Sequence, residues 1–313
     1  MKITAAEAPA LGDLAELVAA QQSDPRSHIG YLGDDASSIA SDLAGLEPDG
    51  LDGIVVAQVA DRVVGLLGAE YDLDPPRVWW HGPFVADVDD PAQVADELYA
   101  AARRRLPAVV REEELAPDDR NELVADLARR HGFVADEASA VLTRPLRPTM
   151  SPLAEHNPDI AVTPLATGHR RAVAALHDTT FPGTHTVSDR LDLGEARRVL
   201  VASSHDDGNV CGYVAIEVQA NQAGYIDYLA VTEQHRGSGI GATLVSAACT
   251  TLAAAGCETA TLTVRESNTA ARALYTQLGF HEVRLLRPWR RGFRLDAPVT
   301  VTDPAPPSEP AEP

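Results

Sequence analysis

The chain has 313 residues, of which 45% are apolar and 23% charged, and its net charge is −20. The length predicts two domains, and the composition predicts a folded chain rather than a fibrous or disordered one. The negative charge argues against a nucleic-acid ligand, because a phosphate backbone needs a basic surface. Three cysteines without a C-x-x-C pair exclude a disulfide framework and a zinc cluster. The chain start lacks a signal-peptide pattern and no apolar run reaches about 18 residues, so we expect a cytoplasmic protein without a membrane partner or a metal.

The first half of the chain predicts three strands, two helices and a further strand. Two apolar runs flank the polar pair Asp61-Arg62, which indicates a hairpin. The predicted elements are strands over 54–60, 63–70 and 78–85, helices over 91–105 and 120–131, and a strand over 133–143. The prolines Pro145, Pro148, Pro152 and Pro158 then predict a linker over 148–159.

The second half predicts a clearer series of alternating elements. They are a strand over 160–165, a helix over 168–179, strands over 198–202, 210–218 and 225–231, a helix over 240–255, a strand over 259–264, a helix over 269–278 and a strand over 280–286. This order predicts an α/β (α+β) fold in which each domain has a mixed, mainly antiparallel sheet flanked by helices. We expect domains at 1–147 and 160–297, with a disordered Pro- and Glu-rich tail over 298–313.

The two halves resemble each other at a constant spacing. The segment YIDYLAVTEQHRGSGIGATLV, which starts at Tyr225, aligns with WWHGPFVADVDDPAQVADELY, which starts at Trp79. Further on, Asn268 falls on Asn121 almost in step. The maintained spacing, rather than residue identity, predicts two copies of one fold.

A glycine-rich turn lies between the strand over 225–231 and the helix over 240–255. Its residues are Arg236, Gly237, Ser238, Gly239, Ile240 and Gly241. Glycines let the backbone turn tightly near a ligand, and a helix start offers free N–H groups, so the turn suits a pyrophosphate. A structural turn without a ligand is the alternative. The pattern is neither a P-loop nor the G-x-G-x-x-G of a dinucleotide fold, so neither of those classes is expected.

This turn and the residues after it resemble the GNAT superfamily of acyl-CoA-dependent N-acetyltransferases. The superfamily pattern is a strand, R-x-x-G-x-G, a helix, a strand and then N-x-x-A-x-x-x-Y-x-x-x-G-F, here Asn268, Ala271, Tyr275, Gly279 and Phe280. The close match covers residues 225–281, and a looser one covers 160–295. The organisation in two domains resembles tandem members of the superfamily such as mycothiol synthase.

The resemblance implies how acetyl-CoA, the co-substrate, would be held. Backbone amides of the turn over 236–241 would bind its pyrophosphate. Leu229, Ala230 and Val231 would lie along the pantetheine, and Leu229 and Val231 would pair with it through their backbone. The N–H group of Leu229 would also face the acetyl carbonyl and stabilise charge on its oxygen.

Asn268 and Tyr275 each have a functional and a structural interpretation. The resemblance implies that Asn268 contacts the cofactor near the pantetheine, whereas an N-cap of the helix beginning at Thr269 needs only its side-chain oxygen. Tyr275 would protonate the departing thiolate as general acid. Its alternative is a half-buried core tyrosine.

The general base that deprotonates the acceptor ammonium has several candidates. Some superfamily members carry a glutamate where this chain has Tyr225, which cannot act as a carboxylate. Asp227, two residues further on and therefore on the same strand face, is the nearest carboxylate. Glu217 on the preceding strand and a chain of waters are alternatives, and Asp227 could equally be a solvated carboxylate.

The loop over 180–185 borders the acceptor pocket in the superfamily. Phe181, His185 and Trp289 could line this pocket, and a Pro-Gly loop with a buried phenylalanine is the alternative. His177 and His185 lack the spacing of metal ligands.

The first copy has lost the features of the second. Its residues at the positions of Arg236, Gly237, Gly239, Gly241 and Tyr275 are Asp90, Pro91, Gln93, Ala95 and Ala128. Asp87 and Asp89 would further repel a pyrophosphate. This departs from mycothiol synthase, and we expect a degenerate first domain.

The expected function is transfer of acetyl from acetyl-CoA to a primary amine by direct attack in a ternary complex. A small-molecule amine is the first candidate acceptor, and a protein N-terminus or lysine is the alternative. A non-catalytic acyl-CoA sensor is the alternative from another class. The sequence predicts no oligomeric state.

Overall fold

The computed structural model describes residues 1–7, 10–60, 62–86, 88–146, 159–182, 184, 186, 188–194, 196–219 and 223–292. The predicted tail over 298–313, all but the last residue of the predicted linker, Asp87 and His185 lie outside these residues. The described chain forms two compact units. Unit 1 comprises residues 1–139 with 284–292, and unit 2 comprises residues 140–283. The predicted domains, 1–147 and 160–297, are continuous in sequence. In the structure, residues 140–146 belong to unit 2 and residues 284–292 belong to unit 1.

The elements in chain order are β1 (Lys2–Ala5), α1 (Leu11–Gln22), α2 (Ala36–Ala44), β2 (Ile54–Val59), β3 (Arg62–Leu73), β4 (Pro76–Val85), α3 (Pro91–Arg103), β5 (Glu112–Leu115), α4 (Glu122–Arg130), β6 (Val134–Ala135), β7 (Ser139–Pro145), β8 (Ile160–Pro164), α5 (Arg170–Thr180), β9 (Arg197–Ser204), β10 (Val210–Val218), β11 (Gly224–Val231), α6 (Ile240–Ala254), β12 (Thr259–Arg265), α7 (Thr269–Gln277), β13 (His281–Leu286) and β14 (Trp289–Arg291).

Each unit contains a seven-stranded sheet in its described residues. The order is β1-β2-β3-β4-β5-β14-β6 in unit 1 and β13-β7-β12-β11-β10-β9-β8 in unit 2. Among the strand pairs whose register is described, most are antiparallel, and β4–β5 and β11–β12 are parallel. This confirms the predicted fold class of two sheets flanked by helices. None of the described helices is long and apolar enough to span a bilayer.

Helix α6 lies close to the sheet of unit 2 because two glycines face it. A Cβ atom on Gly212 would stand 3.1 Å from the Leu244 side chain, and one on Gly224 would stand 2.7 Å from the Leu252 side chain. The helix is apolar around most of its surface and buries both leucines completely. Close packing of α6 fixes the position of its N-terminus at the end of β11.

Five elements were not predicted from the sequence, namely β1, α1, α2, β5 and β14, and β6 and β7 were predicted as one strand over 133–143. Strand β5 has the sequence Glu-Glu-Glu-Leu, yet Glu113 and Glu114 are buried. Their charges are compensated within unit 1, because Arg291 of β14 pairs with Glu113 and Arg290 pairs with Glu114. The charged residues of β5 therefore did not indicate a strand, because the arginines that pair with them lie far away in the sequence.

Candidate active site

The glycine-rich turn leaves the N-terminus of α6 open. Gly237 and Gly239 adopt φ values of +78° and +83°, and a Cβ atom at either would meet nothing within 4 Å. Gly239 is the N-cap residue and supplies no side-chain hydrogen bond, and the first turn of α6 carries no acidic residue. Its first N–H groups and the positive end of the helix dipole thus face an uncrowded turn, which fits an anionic ligand.

Strands β11 and β12 pair only at their beginnings. Cα partners run from Gly224 to Ile226 against residues 260–262, although β11 continues to Val231. On its other edge β11 stays paired with β10 as far as Val231. The strands therefore diverge beyond residue 226 and leave one edge of β11 without a strand partner among the described residues.

The N–H groups of Leu229 and Val231 face this open edge. The next residue, Thr232, donates its N–H to the Cys211 carbonyl on the β10 side at 2.8 Å. Since backbone groups alternate along a strand, the N–H groups of Val231 and Leu229 point the other way. Ala230 has a side chain buried in the sheet core, and by the same alternation its N–H and carbonyl groups face β10 rather than the open edge.

A β-bulge places Asp227 at the point of divergence. Across β10 and β11, Ala215 opposes Tyr228 and Ile216 opposes Ile226, so Asp227 is the extra residue. Arg197, Glu217 and Tyr225 form one cross-strand row. Arg197 pairs with Glu217 at 3.0 Å and lies 3.4 Å from Oδ2 of Asp227. The two candidate carboxylates therefore share one arginine.

The Asp227 carboxyl group is electrostatically unusual. Its side chain is only 12% exposed, and Oδ2 accepts no hydrogen bond from the described residues, because Arg197 lacks the geometry for one. Burial raises the pKa of Asp227 to about 6; Arg197 and His177 lower it, and Glu217 raises it. A carboxylate that is ionised at neutral pH but binds a proton readily can act as a base.

Tyr275 is a buried phenol on α7. Its ring packs edge-on against Phe280 with centroids 5.8 Å apart. Burial, with a smaller effect of Tyr225, raises the pKa of Tyr275 well above its ordinary value. Burial also raises the pKa of Tyr225 to about 12, and its hydroxyl donates to Thr263 at 3.0 Å. Tyr275 thus keeps its proton at neutral pH, and its hydroxyl has no hydrogen-bond partner in the described part of the chain.

Asn268 caps α7 as the structural interpretation predicts. Its side-chain oxygen accepts a hydrogen bond from the N–H of Ala271 at 3.1 Å. The cap uses only that oxygen, so the amide NH₂ group stays available for a ligand.

The loop after α5 packs on an aromatic cluster that the sequence did not reveal. His177 is buried and donates from Nε2 to the Thr186 carbonyl at 2.9 Å, and its Nδ1 shares a hydrogen bond with the Tyr213 hydroxyl at 2.6 Å. Phe181 packs against His177 and Tyr228, with ring centroids 5.4 and 5.0 Å apart. No group of three or more metal-ligating side chains occurs where the structure is described.

Trp289 does not belong to unit 2. It lies in β14, opposite Leu115 and Ala135, and its side chain is buried in the core of unit 1. The prediction that Trp289 lines an acceptor pocket of the second domain is wrong, because strand exchange carries the end of the chain into the other sheet. His185 lies outside the described residues.

Unit 1 fills the corresponding helix N-terminus with a carboxylate. Asp90 accepts a hydrogen bond from the N–H of Gln93 at 2.9 Å, and Pro91 is the first residue of α3. Proline has no N–H group to offer. Ala128, at the position of Tyr275, is fully buried in the unit 1 core.

The fold and this site define a class of protein. Residues 171–280 match the model of the Acetyltransferase (GNAT) family. The matched segment contains β11, the open turn and α7. With the two sheets, the match supports an acyltransferase enzyme built from tandem GNAT-like domains.

Particular relatives agree with this class. The chain is similar to a GCN5-related N-acetyltransferase from Sphaerobacter thermophilus, with a TM-score of 0.72 and 19% identity over 93% of this chain and 95% of that one. It is also similar to a tandem GNAT protein from the clavulanic acid biosynthesis pathway, with a TM-score of 0.66 and 16% identity over 94% of this chain and 100% of that one. At these identities the likeness shows the fold.

A local sequence likeness points to a protein-modifying relative. Over 63 residues the chain is 43% identical to N-alpha-acetyltransferase MAK3 of Arabidopsis thaliana. The match covers 20% of this chain and 33% of that protein, so the chain spans about a third of the length of this curated relative.

Proposed function

We propose that unit 2 transfers acetyl from acetyl-CoA to a primary amine. The observation that carries the proposal is the open edge of β11, which leads from Asp227 to the uncapped N-terminus of α6. At one end Asp227 can accept a proton, and at the other end the N-terminus of α6 can bind a pyrophosphate. The chain would be a cytoplasmic enzyme, in keeping with its free, buried cysteines.

The residues present fit acetyl-CoA. The N–H groups of the turn over 236–241 would hold the pyrophosphate, since both left-handed glycines have room around them. The outward N–H groups of Leu229 and Val231 would pair with the pantetheine, with the Ala230 backbone between them. The NH₂ group of Asn268 would donate to the cofactor while its oxygen caps α7. Bound acetyl-CoA supplies an activated acetyl thioester.

Direct attack follows from the groups around this edge. Asp227 accepts a proton from the acceptor ammonium, and the freed amine forms a C–N bond to the acetyl carbon as the C–S bond breaks. The N–H group of Leu229 donates to the carbonyl oxygen, where negative charge develops. Tyr275 gives its proton to the leaving sulfur, and the second proton of the acetylated nitrogen passes through water to restore the Tyr275 hydroxyl. Glu217, held by the same arginine, or a chain of waters is the alternative base.

The charge of the site favours a cationic acceptor. Two carboxyl groups, those of Glu217 and Asp227, share one arginine, Arg197, so the cluster has more acidic than basic groups, which favours an ammonium group. A small-molecule amine is our first candidate, supported by the full-length fold likeness to a protein of a biosynthetic pathway. A protein N-terminus or lysine is the second, favoured by the local likeness to an N-alpha-acetyltransferase.

Release of free CoA thiol tests the proposal. The full-length chain is mixed with acetyl-CoA and either a panel of small primary amines or peptides with free N-termini and lysines. Thiol release that depends on one small amine supports the first candidate, and release with peptides alone supports the second. Tight acetyl-CoA binding without thiol release from any acceptor, or from cell-extract fractions, contradicts catalysis and favours an acyl-CoA sensor.

A further inference from the structure

In unit 1, β4 and β5 correspond to β11 and β12, and a segment of the chain itself pairs with the residues that follow β5. The segment over 28–31, between α1 and α2, forms an antiparallel bridge from Ile29 to Pro117, just after β5. The N–H group of Gly30 donates to the Ala116 carbonyl at 2.8 Å, and that of Asp118 donates to the His28 carbonyl at 3.0 Å. The segment is thus held beside the end of β5 by one antiparallel bridge.

Backbone alternation shows on which side of β5 this segment lies. The Pro117 carbonyl accepts from Arg287 at 2.9 Å, and the N–H group of Asp119 donates to the Leu285 carbonyl at 2.8 Å, so both face the chain that leads into β14. The Ala116 carbonyl and the Asp118 N–H group therefore face the opposite side, toward β4. Since β4 and β5 pair only as far as Trp80 and Leu115, the segment sits where these strands diverge.

A buried glutamine satisfies the outer edge of the segment. Gln22 is 2% exposed, accepts from the N–H group of Ile29 at 2.8 Å and donates to the Ile29 carbonyl at 2.9 Å. Its amide therefore takes the place of a neighbouring strand. At the far end, Tyr31 donates its hydroxyl to Glu114, and its ring lies 6.0 Å from that of His81 on β4.

Asn121 makes the contact that connects this segment to the proposed site. It caps α4 through its oxygen, as Asn268 caps α7, and each asparagine donates its own N–H to the carbonyl three residues earlier. The NH₂ group of Asn121 donates to the His28 carbonyl at 3.2 Å. In unit 1 the NH₂ group of Asn121 thus already donates to a carbonyl of the chain itself.

We infer that the segment over 28–31 is an internal substitute for pantetheine and permanently occupies the acyl-CoA slot of unit 1. The inference rests on the proposed function for the identity of the slot. Like pantetheine, the segment places amide groups between two diverging strands, through the bridge at Ile29 and the N–H group of Gly30. Asp90 blocks the phosphate end and the segment fills the remainder, so unit 1 is closed to acyl-CoA at both ends.

Amide hydrogen exchange of the full-length chain, with and without acetyl-CoA, tests this. The N–H groups of Ile29, Gly30 and Asp118 should exchange slowly in the free protein and remain unchanged by acetyl-CoA. Gln22→Met should accelerate their exchange roughly tenfold to a hundredfold, because it removes two buried hydrogen bonds of Ile29. Gln21→Met, at the half-buried neighbouring position, is the matched control and should leave the exchange unchanged.

Two outcomes overturn the inference. Both are measured by amide exchange in the wild-type chain, so they do not depend on whether a variant folds. One is fast exchange of these three amides without ligand, and the other is slower exchange on adding acetyl-CoA. Slow exchange at 28–31 without any acetyl-CoA effect over 229–241 would confirm only the internal pairing of the segment; it would contradict the proposed function of unit 2 and, with it, the identity of the slot.

Discussion

Replacing Asp227 by asparagine removes the proposed base with little change in shape. With a pKa of about 6, the carboxyl group is about one tenth ionised at pH 5 and about nine tenths ionised at pH 7. The kcat/KM of the wild-type chain should therefore rise about tenfold across this interval beyond the titration of the acceptor itself. Asp227→Asn should abolish this rise, the acidic limb of the pH profile of kcat/KM, and lower turnover by roughly 10²- to 10⁴-fold, the range of a lost general base.

Two neighbouring substitutions serve as controls for the position of this limb. Glu217→Gln removes a charge that raises the pKa of Asp227, so the limb should move to lower pH. Arg197→Gln removes a charge that lowers it, so the limb should move to higher pH. The assay is thiol release at saturating acetyl-CoA from pH 4.5 to about 9. If Asp227→Asn keeps the wild-type limb, or if both controls shift it in the same direction, the base is another group.

Substitutions at Gly239, Tyr275 and Asn268, two of them with matched controls, test the other parts of the site. Gly239→Asp should abolish acetyl-CoA binding in calorimetry, because it brings a carboxylate to the pyrophosphate turn. Gly208→Asp is the control, since Gly208 is also an uncrowded left-handed glycine, with φ +70°, and this variant should bind acetyl-CoA normally. Equal loss of binding in both variants would show that backbone strain, rather than the carboxylate, is the cause. Tyr275→Phe should lower turnover roughly 10²-fold or more at unchanged acetyl-CoA affinity, and turnover within a factor of two with chemistry rate-limiting would mean another acid. Asn268→Ser keeps an N-cap oxygen but loses the NH₂ donor, so KM for acetyl-CoA should rise roughly tenfold at unchanged melting temperature. Asn268→Ala should in addition lose about 0.5–2 kcal/mol of folding stability, because it removes the cap. A normal KM for the serine variant would mean that Asn268 acts only as the N-cap.

Periodicity in the sequence was enough to predict most of unit 2. Strand β11 and helix α6 have strong apolar patterns, and a glycine turn separates them, so their order and approximate bounds follow from local residues. The spacing of Asn268 from Asn121 likewise indicated the repeat. These features depend on short segments, which a single sequence displays.

The features that the sequence hid depend on contacts between distant segments. The charges of Glu113 and Glu114 made β5 resemble a loop until Arg290 and Arg291 supplied partners from the far end of the chain. The bulge at Asp227 arises from its register with β10, which alternation along one strand cannot show. Arg197 precedes its predicted strand and gave no signal, although it positions both carboxylates.

The number of acetyl-CoA molecules bound by each full-length chain shows whether one or both units bind the cofactor. The open turn of α6 and the free edge of β11 predict one site in unit 2, whereas Asp90, Pro91 and the segment over 28–31 close unit 1. Isothermal titration calorimetry should therefore give one acetyl-CoA per chain. Two per chain would show that unit 1 binds the cofactor, and none would contradict the assignment of unit 2 as an acetyltransferase domain.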